Sequence, residues 1–444
     1  MNRRRFITTS TVSAAALFGV AGCRIEKVKP VSHPAETLKL AGWSIEELRE
    51  QYRYDLFDDF LPFADTFVVD NEQGGFMCGV DRDGSRITTD KQAMSEGQGM
   101  WVYSFLSGRF DQDGKYLDIA RKSLSFLRKN NPIGDNLWPE RFTRDGKPKG
   151  KPDARGYGDL AVALGLQEFA RTSGEEKWGA LAKQTFLKIV RLYDRPDYYP
   201  AFGQEYLGLK APLTPGARVL GVWMRIIDLA SQMLADTSDP EIEEALHRSV
   251  QAVIDFHHNP DFGLTNELLN HDLSRPGNDY AQLVHTGNAI EALRTILFEA
   301  ARVKDKQLFD TAAERFRRHV ETAWDPVFGG VYRCLNNVER DEWDLTKALW
   351  VQEEALVGAL FIVEHTGEQW AKDLFGKIYQ YVRANFPLKK YGHPLWITQG
   401  NRRITFEPHA DRIDLFHHPR HLMLNLLCLD RMVKRGGKVS SLFG

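Results

Sequence analysis

Cysteine is scarce in this chain, and neither sign of charge is in surplus. Only Cys23, Cys78, Cys334 and Cys428 occur in 444 residues, at spacings that fit neither a disulfide framework nor a thiolate zinc site. Lys and Arg total 58 against 60 Asp and Glu, a formal net charge of −2, so no basic surface calls for nucleic acid. Also missing are a Gly-rich phosphate loop after a strand, a nucleophile elbow and a compact His/carboxylate helix motif. The sequence therefore gives no reason to expect a dinucleotide, another cofactor or a metal. From Ile45 onward no linker or low-complexity tract interrupts the chain, which favours one domain.

The N-terminus is built differently. Arg3-Arg4-Arg5-Phe6 precedes a small and apolar run ending Val20-Ala21-Gly22-Cys23. The run reads as a processing segment and not as a membrane-spanning helix. Residues 1–22 resemble a Tat-type export signal, and the last four residues quoted resemble a lipobox whose Cys23 becomes the lipidated first residue. Residues 23–44, with Pro30 and Pro34, then form a tether, and 45–444 the domain. Without residues 1–22 the balance is 55 basic against 60 acidic residues, about −5. The expected protein is exported by Tat and held in the cell envelope, in the periplasm or on a membrane, which it touches through the lipid alone. Losing Cys23 to the anchor leaves three cysteines, so at least one thiol stays free even in an oxidising compartment.

The body alternates helical stretches with short loops marked by Gly, Asp and Pro. Apolar residues recur at helical steps, as in Leu349, Leu356, Leu360 and Val363. One unit occurs twice: Gly74-Gly75-Phe76, then Lys91 and a helix through Trp101, and Gly329-Gly330-Val331, then Lys347 and a helix through Leu360. Recurring loop-plus-helix units with few strands predict an all-α fold, an (α/α)6 barrel of helical hairpins with short β-hairpin loops.

Three segments place chemistry at helix starts. Trp350 and Glu354 are four apart and share a helical face, so an indole and a carboxylate line one cavity. A ring that stacks on a pyranose beside an acid that takes its hydroxyls is a way to grip a sugar, and 10 Trp, 14 Tyr and 26 Phe supply such platforms. Glu353 falls on another face and reads as a solvated acid. Asn288 and Glu291 are three apart on one face, with His285 a turn earlier, and Phe416-His417-His418-Pro419-Arg420 opens the last helix. His418 and His421 are expected to face away from that site.

These segments, with Lys347-Ala-Leu-Trp350-Val-Gln352-Glu353-Glu354-Ala, resemble the N-acylglucosamine 2-epimerase family, whose signatures read Gly-His-x-x-Glu, Phe-His-x-x-Arg and Lys-x-x-Trp-x-Gln-x-Glu-Ala. The resemblance implies an isomerase of carbohydrate metabolism, a sugar 2-epimerase or aldose–ketose isomerase that moves a proton at C2 through an enediolate. Its partner is a mono- or oligosaccharide. Implied catalytic positions are His417 as general base, Glu291 in support, and Asn288, with His285 as a substitute within reach. Implied substrate-binding positions are Gln98, Tyr157, Arg218, Glu267, Trp350, Glu354 and Arg420.

Two positions depart from the family. Asn288 stands where the family has a proton-transferring His and cannot titrate near neutral pH. Gln98 stands where it has an Arg, and brings a hydrogen bond without charge. Arg294 replaces a Trp found in some disaccharide epimerases, so a second sugar ring is gripped differently or not at all. The alternatives are a glycoside hydrolase or lyase on the same barrel, with carboxylate pairs drawn from Glu267, Glu291 and Glu354, or a catalytically silent glycan-binding protein.

Overall fold

The computed structural model describes residues 38–443 apart from 82, 112–113, 201–203, 389–394 and 404–412. Residues 1–22, Cys23 and the tether up to residue 37 lie outside the described residues. The chain from Thr37 onward forms one compact unit. Lys39–Leu40 pairs with Trp43–Ser44 at its start. No described helix is long and apolar enough to cross a membrane.

Twelve helices of ten or more residues occur among the described residues. They are α1 (Ile45–Tyr54), α2 (Ala93–Phe110), α3 (Lys115–Leu127), α4 (Tyr157–Ser173), α5 (Glu176–Tyr193) and α6 (Leu220–Met233). The second half holds α7 (Pro240–Gln251), α8 (Thr286–Val303), α9 (Lys306–Ala323), α10 (Leu349–Thr366), α11 (Gln369–Asn385) and α12 (His417–Lys434). Their starts carry ordinary stop-and-go chemistry. Ser44 and Glu47 form a capping box on α1, and Asp239 caps α7 ahead of Pro240.

Helices α2, α4, α6, α8, α10 and α12 contact one another in sequence, and α12 returns to α2, which closes a ring. Each of the first five pairs with the helix that follows it, while α12 takes α1 as its hairpin partner. Burial explains the division. Nearly every residue of α10 from Leu349 to Glu364 is buried, as an inner helix covered on all sides requires, whereas α9 buries only one stripe, Phe309, Ala312, Phe316 and Val320 among it. Close packing of α2 on α4 depends on Gly97 and Gly165, because a Cβ on either would strike backbone across the interface. The expected (α/α)6 barrel is what the chain forms.

The repeated loop is confirmed down to its hydrogen bonds. Lys91 pairs with Asp70 at 3.0 Å and donates to the Gly74 carbonyl, and Phe76 N donates to Glu96 at 2.7 Å. In the second copy Lys347 pairs with Asp325 at 2.8 Å and donates to the Gly329 carbonyl, and Val331 N donates to Gln352 at 2.8 Å. Arg144 and Arg402 close the two aspartates from outside at 2.9 and 3.1 Å. Paired glycines at positive φ make each turn: 78° and 81° at Gly74 and Gly75, 74° and 80° at Gly329 and Gly330. Short β-hairpins include Pro139–Phe142 with Pro148–Pro152 and Cys334–Asn337 with Glu342–Asp344, but the strands expected directly after the paired glycines are reduced to isolated bridges, Val69 to Phe76 and Trp324 to Val331.

Candidate active site

Each inner helix contributes from its first turns. Gln98 comes from α2, Tyr157 from α4, Arg225 and Asp228 from α6, Asn288 and Glu291 from α8, Trp350 and Glu354 from α10, and His417 and Arg420 from α12. The N-terminal ends of the inner helices therefore converge on one end of the barrel. Their dipoles favour carboxylates and any negative charge that develops there. Between them lies a narrow cavity lined by Gln98, Arg225, Asp228, Glu291, Phe416 and Arg420 with apolar residues of α4 and α6.

An ion cluster forms one wall. The Arg420 guanidinium donates to Glu291 at 2.5 Å and to Glu354, and reaches Asp228 at 3.3 Å. Arg294 Nε donates to Glu354 at 2.8 Å from an environment 1% exposed. Burial alone would raise the Glu291 carboxyl, but Arg420, His417 and Arg294 outweigh it and hold Glu291 below the usual carboxylate range. Arg420 is thus engaged with acids, and Arg294 completes the wall in place of an aromatic ring.

His417 stands at the edge of this cluster. Its Nδ1 lies 3.1 Å from an Asp414 carboxylate oxygen, and its Nε2 lies 3.9 Å from Glu291. Burial pushes the imidazole pKa down, yet Asp414 and Glu291 together raise it above the ordinary histidine value. Trp350 separates the two histidines of the site, with ring centroids 5.4 Å from His417 and 6.0 Å from His285. His285 is committed to local structure. Its Nδ1 accepts the Asn288 N–H at 3.0 Å and caps α8. Burial and the nearby Arg333 push its pKa down to about 3, which makes it a weak base.

Asn288 and Glu267 form a second group. The Asn288 amide donates to Glu267 at 3.0 Å, and Gly221 N lies 3.4 Å from the same oxygen. Burial raises the Glu267 carboxyl to about 8 against these two hydrogen bonds, so it is protonated at neutral pH. The Tyr157 ring lies between the guanidinium groups of Arg155 and Arg225, at 4.7 and 4.5 Å, with its hydroxyl beside Gly221.

Two expectations change. Arg218 is not among the cavity-lining residues: its guanidinium donates to the backbone carbonyls of Tyr193 and His271 and stacks on Tyr193, so its donors hold the outer packing of the barrel. Glu353 is not solvated. It is fully buried, with His418 Nδ1 at 2.5 Å and His421 Nδ1 at 3.5 Å, and these imidazoles outweigh burial and keep its carboxyl below the usual range. His418 and His421 turn to Glu353, and His421 Nε2 meets the Tyr52 hydroxyl at 3.1 Å. Asp228, Arg225 and Asp414 were not singled out in the sequence. The available signals were Arg225 and Asp228 three apart on an apolar helix, and Asp414 three before His417.

N-acylglucosamine 2-epimerase of Bos taurus is 24% identical over 439 residues, covering 92% of this chain and 95% of that protein. Cellobiose 2-epimerase of Ruminococcus albus is 25% identical over 358 residues, covering 75% and 86%. The solved structure of cellobiose 2-epimerase from Bacillus thermoamylovorans shares the fold with a TM-score of 0.75 at 16% identity, covering 87% of this chain and all of the other. Residues 74–419 match the family described as N-acylglucosamine 2-epimerase (GlcNAc 2-epimerase). With more than half of its length matched and the barrel in place, the chain belongs to the N-acylglucosamine 2-epimerase family.

Proposed function

We propose that the protein is a sugar isomerase acting at C2 of an opened sugar, with His417 as the base. The observation that carries this reading is the His417 geometry: Nδ1 is held by Asp414, so Nε2 is the free ring nitrogen and faces Glu291 beside the cavity. A carboxylate on one nitrogen selects the tautomer with the other open to accept a proton. Epimerisation needs a proton donor on the opposite face of C2. Asn288 cannot titrate, and His285 is a capped, weakly basic imidazole. A single base that carries a proton between C2 and C1 on one face fits aldose–ketose isomerisation. Trp350 offers the sugar an aromatic face. Glu291 and Glu354 share one guanidinium across the ion cluster; locked together, they lack the separated acid and base that inverting hydrolysis uses.

NMR of a sugar panel containing N-acetylglucosamine, cellobiose and mannose in deuterated water tests the reading. The expected result is ketose with deuterium gained at carbon. Reducing ends released from an oligosaccharide, or no change in any sugar, would overturn it.

We further propose that residues 1–22 direct Tat export, that Cys23 carries a lipid and 23–44 a tether, and that 45–444 act at the envelope as one catalytic domain. Support comes from Arg3-Arg4-Arg5-Phe6 and Val20-Ala21-Gly22-Cys23. Replacing Arg3 and Arg4 by Lys should retain the protein in the cytoplasm, and Cys23→Ala should release it from the membrane fraction. Unchanged fractionation would contradict both assignments.

A further inference from the structure

Two arginines line the cavity, Arg225 and Arg420, and Arg294 stands behind them. Arg294 and Arg420 are ion-paired with Glu291, Glu354 and Asp228, although Arg294 Nη2 makes no hydrogen bond among the described residues. Arg225 lines the same cavity and forms no ion pair or hydrogen bond among the described residues, and its Nε is shut from solvent without an acceptor. It rests instead against the Tyr157 ring at 4.5 Å, which fixes the guanidinium plane. An unmet guanidinium donor in a buried site costs free energy unless a ligand satisfies it. Beside it in the cavity lies Gln98, also buried.

We propose that Arg225 is the oxyanion-binding residue of the site, a cationic clamp for the C1 oxygen of the sugar as its charge develops. The inference rests on the isomerase reading. When His417 Nε2 takes the C2 proton, the C2–H electron pair forms the C1–C2 double bond and the carbonyl pair moves onto the C1 oxygen. The protein gains one positive charge on His417 and the sugar one negative charge on oxygen. Arg225 is the cation left open to receive that oxygen, and its planar fork suits an enediolate. Gln98 donates beside it without charge.

Binding of D-gluconate and D-glucitol to the full chain, by calorimetry, isolates the clamp from turnover. Gluconate carries a permanent negative charge at C1, and glucitol has the same hydroxyl chain without it. The wild type is expected to bind gluconate at least tenfold tighter than glucitol, more so as pH falls and His417 charges. Arg225→Met should bring the ratio near one, and Arg225→Lys should keep part of it. No preference in the wild type, or a preference that survives in Arg225→Met with an unchanged melting temperature, overturns the proposal. If gluconate is preferred through Arg225 yet no sugar exchanges its C2 proton in deuterated water, the isomerase reading fails and the oxyanion site stands. If exchange occurs and Arg225→Met lowers KM and kcat by less than twofold, the isomerase reading stands and the clamp does not.

Discussion

An Asp414 carboxylate oxygen sits 3.1 Å from His417 Nδ1, while the other oxygen of Asp414 accepts the backbone N–H of His417 at 2.8 Å. One side chain thus fixes the start of α12, the ring's orientation and its tautomer. Asp414→Asn keeps the shape but can present its amide N–H to Nδ1 and so favour the wrong tautomer. The turnover rate should fall by roughly 10²- to 10⁴-fold. The sign of the pH effect follows from the raised His417 pKa. The base works when neutral, so the rate should climb as pH rises through that elevated value. In Asp414→Asn the residual activity should reach its plateau at lower pH, read from a pH–rate profile.

Trp350 lies beside both histidine rings, at 6.0 and 5.4 Å between centroids, and is only partly buried. Trp350→Leu should raise KM about 10- to 100-fold, in keeping with about 1–3 kcal/mol for a lost stacking face. Trp350→Phe should recover most of the affinity. A melting curve within a few degrees of wild type would separate this loss of binding from unfolding.

The two repeated loops predict acid sensitivity. Asp70 and Asp325 are both held well below the usual carboxylate range: burial opposes this, but Arg144 and Lys91 at the first, and Arg402 and Lys347 at the second, outweigh it. A depressed carboxyl stabilises the fold above its unfolded pKa of about 4 and loses that contribution as pH falls toward the folded value. Melting temperature should therefore drop below about pH 4. Asp325→Asn leaves Lys347, a side chain with no exposed surface, beside a neutral amide. It should cost about 3–5 kcal/mol at neutral pH and shrink the acid-induced drop, as measured by thermal denaturation across pH.

Glu353 and His418 predict a separation of stability from catalysis. Glu353→Ala removes the acid that two buried imidazoles face, and a loss of about 1–3 kcal/mol is expected for leaving a buried hydrogen-bonding group without its partner. KM should change less than threefold at temperatures where the variant is folded, because none of the three side chains lines the cavity. Denaturant melts alongside steady-state rates give both numbers.

The sequence revealed the barrel and half of the site for one physical reason. The residues that carry the fold sit at fixed local spacings: Gly74-Gly75 and Gly329-Gly330 in turns, Trp350 and Glu354 on one helical face. Such patterns are visible in one dimension. What stayed hidden depends on which helix lies opposite. Glu353 looks like a surface acid until α12 brings His418 across to it. Arg218, next to an apolar helix, gave no sign that Tyr193 and His271 carbonyls would absorb its donors. Arg225 has no ion pair among the described residues, where Arg294 and Arg420, on α8 and α12, hold the nearby acids. The substitution at Asn288 was legible, but its consequence, an amide tied to a protonated Glu267, needed the fold.

The central claim is that one histidine moves the C2 proton. The most direct measurement is the rate at which the C2 proton of an active sugar exchanges with solvent, followed by proton NMR in deuterated water for the wild type, His417→Asn and Asn288→Ala. The account predicts that His417→Asn lowers exchange by at least about 10³-fold, while Asn288→Ala retains it within about tenfold. Exchange that persists without His417, or that disappears with Asn288 alone, would contradict it.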